Sequence, residues 1–494
     1  MMREKDKAIM SDYSKQIEQQ LKTLLNESEG LITKPIGEKI AICFMSGMVD
    51  CEQINQNVIG KIIEKNQYEN IESLSDQIAI GNCKMFDEIS NAIQELLSGS
   101  ALVFMEGSKE GIIVSVANIP ARAPANAENE TTIYGPMMAF TESMGKNIAL
   151  LRSYITSPKL IQEEIQLNTE TNTVATMLYI QSPDVLPFIE TIRKRIERRK
   201  VAGFFGSPLL LKLLTDNKYS LFPEMSLTER PDLTSRALLK GKVVVLMEGN
   251  SQVIIGPTTF FDFFYSVEDR YNTWGIGTFT RLLRAIAFIF SIFLTPMYVA
   301  ALTYHYEVIP VPLLEPLIST RIRVPFPPLL EALLMETSIE LLREAGARLP
   351  TKVGQTMGIV GGIVIGQAAV QAGFTSNTLV MLVALAALGS FTTPNYMMGS
   401  TIRFVRFPML IAAGALGLIG IAFFAIFLLI HLLKMTSYGK PYLYPLYPPD
   451  TKGMLNATLI TNSTQFAYQT DLTKRNDSSW RSKWMKKLKS DNDD

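Results

Sequence analysis

Charge is distributed very unevenly along this chain, and that unevenness constrains the fold more than any single motif. Up to about Thr280, acidic and basic residues are frequent. Beyond it come four long stretches with almost none: Leu282–Tyr304, Val353–Gly373, Asn377–Thr393 and Phe407–Leu433. Each is near the ~20 apolar residues that cross a hydrocarbon core. The expected fold class is therefore an α/β soluble N-terminal half followed by an all-α polytopic membrane domain. Lys plus Arg (47) equals Asp plus Glu (47), so net charge points to no polyanionic partner.

Between the first two stretches lies a Pro-rich run, 308–328, then a helix-like segment, 329–346. At 100° per residue, Glu336, Glu340, Arg343 and Glu344 share one side of that segment. Leu330, Leu334, Leu341 and Leu342 fall on or near the other. Two readings stay open: an interfacial amphipathic helix, or a fifth span at 327–346 whose charged face is covered by neighbours or water. Arg281 and Arg284 flank the start of the first span, which places the soluble half in the cytoplasm. Arg348 and Lys352 precede the second, and a shared side for both pairs requires a crossing within 308–346. Arg403 and Arg406 read as loop charges between the third and fourth spans. Five crossings would put the tail outside, against its basic cluster of Arg481, Lys483, Lys486, Lys487 and Lys489.

The soluble half contains a duplication. LLSGSALVFMEG (96–107) aligns without gaps to LLKGKVVVLMEG (238–249). Each ends a helix at a glycine and continues as strand, Glu-Gly turn and strand. Two related α/β subdomains follow, 36–121 and 135–269, joined by a linker at 122–134. A polar extension (1–35) precedes them, the helical membrane domain covers 270–436, and a polar tail covers 437–494. The first subdomain has a further strand at Lys39–Phe44 and a helix at Glu52–Lys65. The second has strands near Lys159–Leu167 and Val174–Ile180 and a basic helix, Asp184–Lys200, read as a face near anionic headgroups.

Enzyme signatures are missing. No phosphate loop or dinucleotide fingerprint appears, and no His/Cys/Glu spacing suggests a metal or other cofactor. Cys43, Cys51 and Cys83 read as reduced thiols, and the polar first 20 residues lack the apolar core of a signal peptide. His305 and His431 sit at span ends.

The second span carries the most information. Gly354, Gly358, Gly362 and Gly366 form a strip on which helix backbones can approach closely. Roughly opposite lie Thr356, Val360, Ile363, Gln367 and Gln371. Such a helix could line a narrow pore in a ring of subunits, with Val360 and Ile363 as a constriction that gates by dewetting. The same pattern also suits a helix buried in a bundle with its glutamines bonded to neighbours.

Several long motifs carry a resemblance. They are YGPMMAFTESMGKNIALLR (Tyr134–Arg152), TERPD (Thr228–Asp232), PTTFFD (Pro257–Asp262), LLREAGARLP (Leu341–Pro350), IGQAAV (Ile365–Val370) and SYGKPY (Ser437–Tyr442). Through them the chain resembles the A subunit of spore germinant receptors, the GerA family, from about Ile36 to Pro448. Met137-Met138-Ala139 and Tyr438 depart slightly from the family pattern. The resemblance implies a homo-oligomer, a pentamer, in the spore inner membrane, working as a nutrient-gated cation channel. It also implies a permease-like B subunit that binds the nutrient and a lipoprotein C subunit. A non-conducting scaffold that couples the nutrient-binding partner to downstream germination proteins is the alternative, and an accessory paralogue is a third possibility.

Overall fold

The structure is a computed structural model that describes residues 12–26, 28–37, 39–65, 68, 70–78, 83–87, 89–108, 110–117, 130, 134–167, 173–183, 185–198, 206–349, 361–362, 364–451 and 453–454. It divides into two compact units. The first contains the described residues up to Asp216 together with Met225–Pro257; the second contains Asn217–Glu224 and the described residues from Thr258 onward.

The first unit holds two antiparallel sheets. Strands β1 (Leu31–Ile36), β2 (Ile40–Met45), β3 (Cys83–Phe86), β4 (Ser100–Met105) and β5 (Gly111–Ser115) pair in the order β1-β2-β4-β5-β3. Strands β6 (Leu160–Gln166), β7 (Val174–Ile180), β8 (Ser226–Thr228), β9 (Val243–Met247) and β10 (Val253–Gly256) pair in the order β6-β7-β9-β10-β8. The two orders are the same pattern used twice, with β4 and β9 as the centres of the duplicated segments. Gly99 and Gly241 end the preceding helices at φ +96° and +73°, and Gly107 and Gly249 turn the hairpins at φ +88° and +76°. A side chain at Gly99 would also lie 2.8 Å from the Met48 carbonyl oxygen, so both conformation and space select glycine there.

Alternation along the strands decides what covers each face. Ile42, Val103, Ile112 and Val114 pack under the helical turns of 51–65 and 71–75, with Ile54, Val58, Ile62 and Leu74. Cys43, Leu102, Phe104 and Ile113 point the other way, against α1 (Asp12–Leu24) and α2 (Ile89–Leu97). The second sheet buries Leu178, Val244, Leu246, Val253 and Ile255 against α3 (Met144–Tyr154) and α6 (Pro231–Leu239). Between them in sequence lie α4 (Leu186–Arg198) and α5 (Ser207–Leu214). Each fully buried Val, Leu or Ile contributes about 1.5–3 kcal/mol. The two subdomains are tied by Ser28, whose Oγ accepts from Arg152 Nη2 (3.1 Å) and from the Gln162 amide (3.0 Å).

The basic helix is less basic than its sequence suggests. On α4, Arg193 pairs with Glu163 and Arg195 with Asp216, so two of its charges serve the second subdomain itself.

The second unit is helical: α7 (Trp274–Thr303), α8 (Val311–Arg321), α9 (Pro328–Arg348), α10 (Asn377–Phe391), α11 (Tyr396–Leu416) and α12 (Leu418–Lys434). Residues 361–362 and 364–371 are also helical. Among the described residues, α7 is the one helix long and apolar enough to cross a membrane, and α10 and α12 are shorter apolar helices. Phe279, Leu283, Ile286 and Phe290 on α7 and Phe423, Ile426, Phe427 and Ile430 on α12 are exposed.

Three sequence expectations change. The stretch Phe407–Leu433 is not one helix: the chain turns at Gly417, φ +64°, where a Cβ would lie 2.6 Å from the His305 ring. Arg403 and Arg406 are not loop charges, because α11 starts at Tyr396 and buries both. Arg281 and Arg284 lie inside α7, where Asp269 pairs with both at 3.4 and 3.0 Å. Arg284, Arg403 and Arg406, three of the charges that set sidedness, are thus buried in helices, and Arg281 shares Asp269 with Arg284. Small residues also bring helices together where the sequence strip did not look. A Cβ at Gly389 would lie 2.6 Å from the Ala287 carbonyl oxygen of α7, and one at Gly420 would collide with that of Ala412 in α11.

Candidate functional site

The charged side of α9 is where the helical unit concentrates its polar chemistry. Glu336 is 1% exposed and Arg406 of α11 is 2% exposed. They form an ion pair at 2.6 Å. Other helices supply further partners, although Arg406 Nε is left without one among the described residues. Thr295 of α7 donates to Glu336 Oε1 at 3.0 Å, and Arg406 Nη2 donates to Ser291 Oγ of α7 (2.8 Å) and to the Ala386 carbonyl of α10 (3.1 Å). One ion pair thus fastens α7, α9, α10 and α11. A buried charge is tolerated only with this degree of pairing, and loss of either partner strands the other.

The ladder continues on both sides of this clasp. One turn on, Glu340 pairs with Arg343 at 2.7 Å and with Arg403 at 3.4 Å. Glu344 is exposed and pairs with Arg348, a local i,i+4 contact. In the other direction Glu331, fully buried, accepts from Thr375 Oγ1 (3.1 Å), the Ser376 amide (2.7 Å) and Ser376 Oγ (2.8 Å). Ser376 is the N-cap of α10 and also meets Tyr298 OH at 3.1 Å. Glu331 therefore holds the start of α10 to α9, and Arg321 stands 3.5 Å from its other oxygen. Sequence reasoning missed Glu331 and both arginines of α11. The available signal was that Arg403 and Arg406 sit three apart with Ile402, Phe404, Val405 and Phe407 around them. Charges so placed need buried partners.

The expected pore-lining and packing residues lie partly outside the described residues: Gly354, Thr356, Gly358, Val360 and Ile363. Gln367 and Gln371 are described, and both are exposed. Their neighbours Val364 (55%) and Ile365 (42%) are exposed as well. A Cβ at Gly362 would meet nothing within 4 Å, and one at Gly366 only Val380 at 3.7 Å. A Cβ at Gly361, by contrast, would collide with the Leu342 side chain of α9. Among the described residues, this helix has no tight partner at Gly362, and no hydrogen-bond partner is seen for its two glutamines.

The motifs converge rather than scatter. In the second unit, Thr258 Oγ1 and Ser437 Oγ both donate to the Glu224 carbonyl, at 2.6 and 2.7 Å. The Phe260 amide donates to the Tyr442 carbonyl at 2.8 Å. PTTFFD and SYGKPY are thus one packed site. In the first unit, TERPD holds the linker. Arg230 is paired to Asp232 at 2.8 Å and donates to the carbonyls of Glu130 and Pro136, both at 3.2 Å. Thr228 Oγ1 donates to the Glu130 carboxylate.

Burial pushes the Glu130 carboxyl from its ordinary 4.5 up to about 7. A folded value above the unfolded one means stability that is complete below about 4.5 and is lost as pH rises through about 7. Glu130→Gln cannot ionise and removes that dependence. Between about pH 5 and pH 8 the wild-type melting temperature should fall relative to the variant's by a few degrees. Thermal melts of the full chain across that range measure it, and parallel curves would contradict the shift.

A long apolar helix, exposed apolar faces and a buried ion-pair ladder define a membrane-associated helical protein carrying a duplicated α/β unit. A family model described as Bacillus/Clostridium GerA spore germination protein matches residues 19–470, so the chain belongs to the GerA family. Spore germination protein GerQA of Bacillus cereus is 42% identical over 434 residues, 87% of each chain. Spore germination protein KA of Bacillus subtilis (strain 168) is 35% identical over 464 residues, 92% of this chain and 85% of that one. A solved chain, the N-terminal domain of the A subunit of the Bacillus megaterium spore germinant receptor GerK3, matches with 24% identity and a TM-score of 0.37, covering 49% of this chain and 93% of that one.

Proposed function

We propose that this chain is the A subunit of a nutrient germinant receptor in the spore inner membrane, and that copies of it assemble into a cation channel that triggers germination. The α/β unit faces the cytoplasmic (core) side, and a permease-like B subunit and a lipoprotein C subunit complete the receptor. The expected second span, 353–373, lines the pore. One observation carries this reading: Gln367 and Gln371 are exposed in the single chain on a helix whose other exposed residues include Val364 and Ile365. Amides facing lipid are costly, so this face needs water or another copy. The open space at Gly362 leaves room for that copy to approach.

The test is ion flux from vesicles of spore-type lipid that hold the purified chain, alone and with its B and C partners. The reading expects potassium flux that depends on nutrient once the partners are present. A well-folded, fully assembled receptor that passes no ion under any condition would leave the non-conducting scaffold.

A further inference from the structure

The charges of the α9 ladder do not balance. Among the described residues, its other carboxylates, Glu331, Glu336 and Glu344, each have one arginine within ion-pair distance. Glu340 has two, Arg343 of its own helix and Arg403 of α11. This rung therefore carries one positive charge more than it cancels. Glu340 Oε2 is taken by Arg343, whose Nε and Nη2 donate to it at 2.9 and 2.7 Å. Arg403 Nε stands 3.4 Å from Oε1 and, although buried, makes no hydrogen bond among the described residues. Arg403 Nη2 donates to Ser400 Oγ at 2.9 Å, a neutral acceptor. The nearest further carboxylate on α9, Glu336, is already matched by Arg406.

Arginine stays charged inside a protein, and a charge withdrawn from water needs a counter-ion. Arg403 is 7% exposed, so solvent does little for it. The rung opens outward through Arg343 and Glu340, whose side chains are 23% and 24% exposed. Its rim is apolar. Phe404, which follows Arg403, and Leu341, which follows Glu340, are 55% and 66% exposed. Ile411, two turns beyond Phe404 on the same side of α11, is 55% exposed as well. An exposed apolar stripe thus leads away from a pair of arginines that lack one anion. A soluble anion would gain nothing from that stripe, whereas an anionic headgroup with acyl chains uses both parts.

We infer that the rung of Arg343, Glu340 and Arg403 binds the headgroup phosphate of an anionic phospholipid, with its acyl chains along Phe404 and Ile411. Guanidinium forks suit phosphate oxygens, and one negative charge restores balance to the ladder. A zwitterionic headgroup brings its own cation and leaves the surplus in place. A bound phosphate would join α9 to α11 one turn beyond the Glu336–Arg406 pair. The inference rests on the helical unit lying in a membrane, as the proposed function has it, and not on conduction.

The test is lipid retention by the delipidated full chain in detergent, read by native mass spectrometry. Phosphatidylglycerol and phosphatidylcholine with the same acyl chains are titrated in parallel. The wild type should hold phosphatidylglycerol the more tightly, by about fivefold or more. Arg343→Gln and Arg403→Gln each leave Glu340 with one arginine, so the ladder stays paired, and each should erase the preference. Arg348→Gln removes an exposed arginine from the same helix and should leave the preference intact. Arg343→Lys keeps the charge and should retain most of it, which tells a lost site from a lost fold. Equal binding of the two lipids by the wild type, or a preference that survives both glutamine variants, overturns the site. Glycerol phosphate that displaces phosphatidylglycerol at equal concentration overturns the lipid as its source, because the apolar stripe would then contribute nothing. Glutamine variants that change the oligomer but not lipid retention also overturn it, and give the surplus charge to a second copy of the chain. Ion flux has no part in this readout, so failure of the channel and failure of the lipid site are seen separately.

Discussion

Arg406→Leu should cost the helical unit about 3–5 kcal/mol, enough to abolish folding or assembly, and Glu336→Leu should cost a similar amount. Each leaves an uncompensated charge at a site only 1–2% exposed. Arg406 would lose its carboxylate partner while keeping Ser291 and the Ala386 carbonyl, and Glu336 would keep only Thr295. Neither remnant neutralises a charge. The double variant, with leucine at both positions, should recover most of the loss, because desolvating two charges offsets much of what their attraction contributes. A double-mutant cycle on the detergent-purified chain measures the coupling, which should be well above the roughly 0.5 kcal/mol seen between independent sites. Equal, additive and small losses would mean that the pair is solvated.

The glycine at 417 and the clasp show where sequence reasoning stops. Alternation and turn glycines made both α/β subdomains readable, because each strand buries a face by residue parity and each turn needs positive φ. The stretches 96–107 and 238–249 matched for that reason, and both fall on the same helix–strand–turn–strand. The apolar stretches marked the helices but not their ends. A hydropathy window sees Phe407–Leu433 as continuous because a glycine in an apolar run is permitted in a helix as well as at a break. Only the close approach of His305 at Gly417 decides it. The partner of α9's charged side was hidden for a different reason. Glu336 and Arg406 are 70 residues apart, and pairing across that distance depends on helix packing, which periodicity does not encode. Periodicity did give which face of α9 is charged. It did not give that Glu336 on that face is buried while Glu344 is exposed, and it left out Glu331, which lies about 140° round the helix from Glu336.

The pore reading makes the other large prediction. Gln367→Leu removes polar wall from the conducting path, makes wetting harder, and should abolish nutrient-triggered ion release by at least about tenfold. Ile363→Ala, at a position outside the described residues, removes bulk from the expected constriction in every subunit. It should ease wetting, so that spores leak ions at rest and lose dormancy without nutrient. The opposite signs are the point. A helix merely buried in a bundle would be destabilised by both changes, and a scaffold would show no leak from either. The decisive measurement is potassium release from purified dormant spores of each variant, at matched receptor level, with and without nutrient. The account predicts spontaneous release from Ile363→Ala and loss of triggered release from Gln367→Leu; equal loss of function in both, with no leak from either, would contradict it.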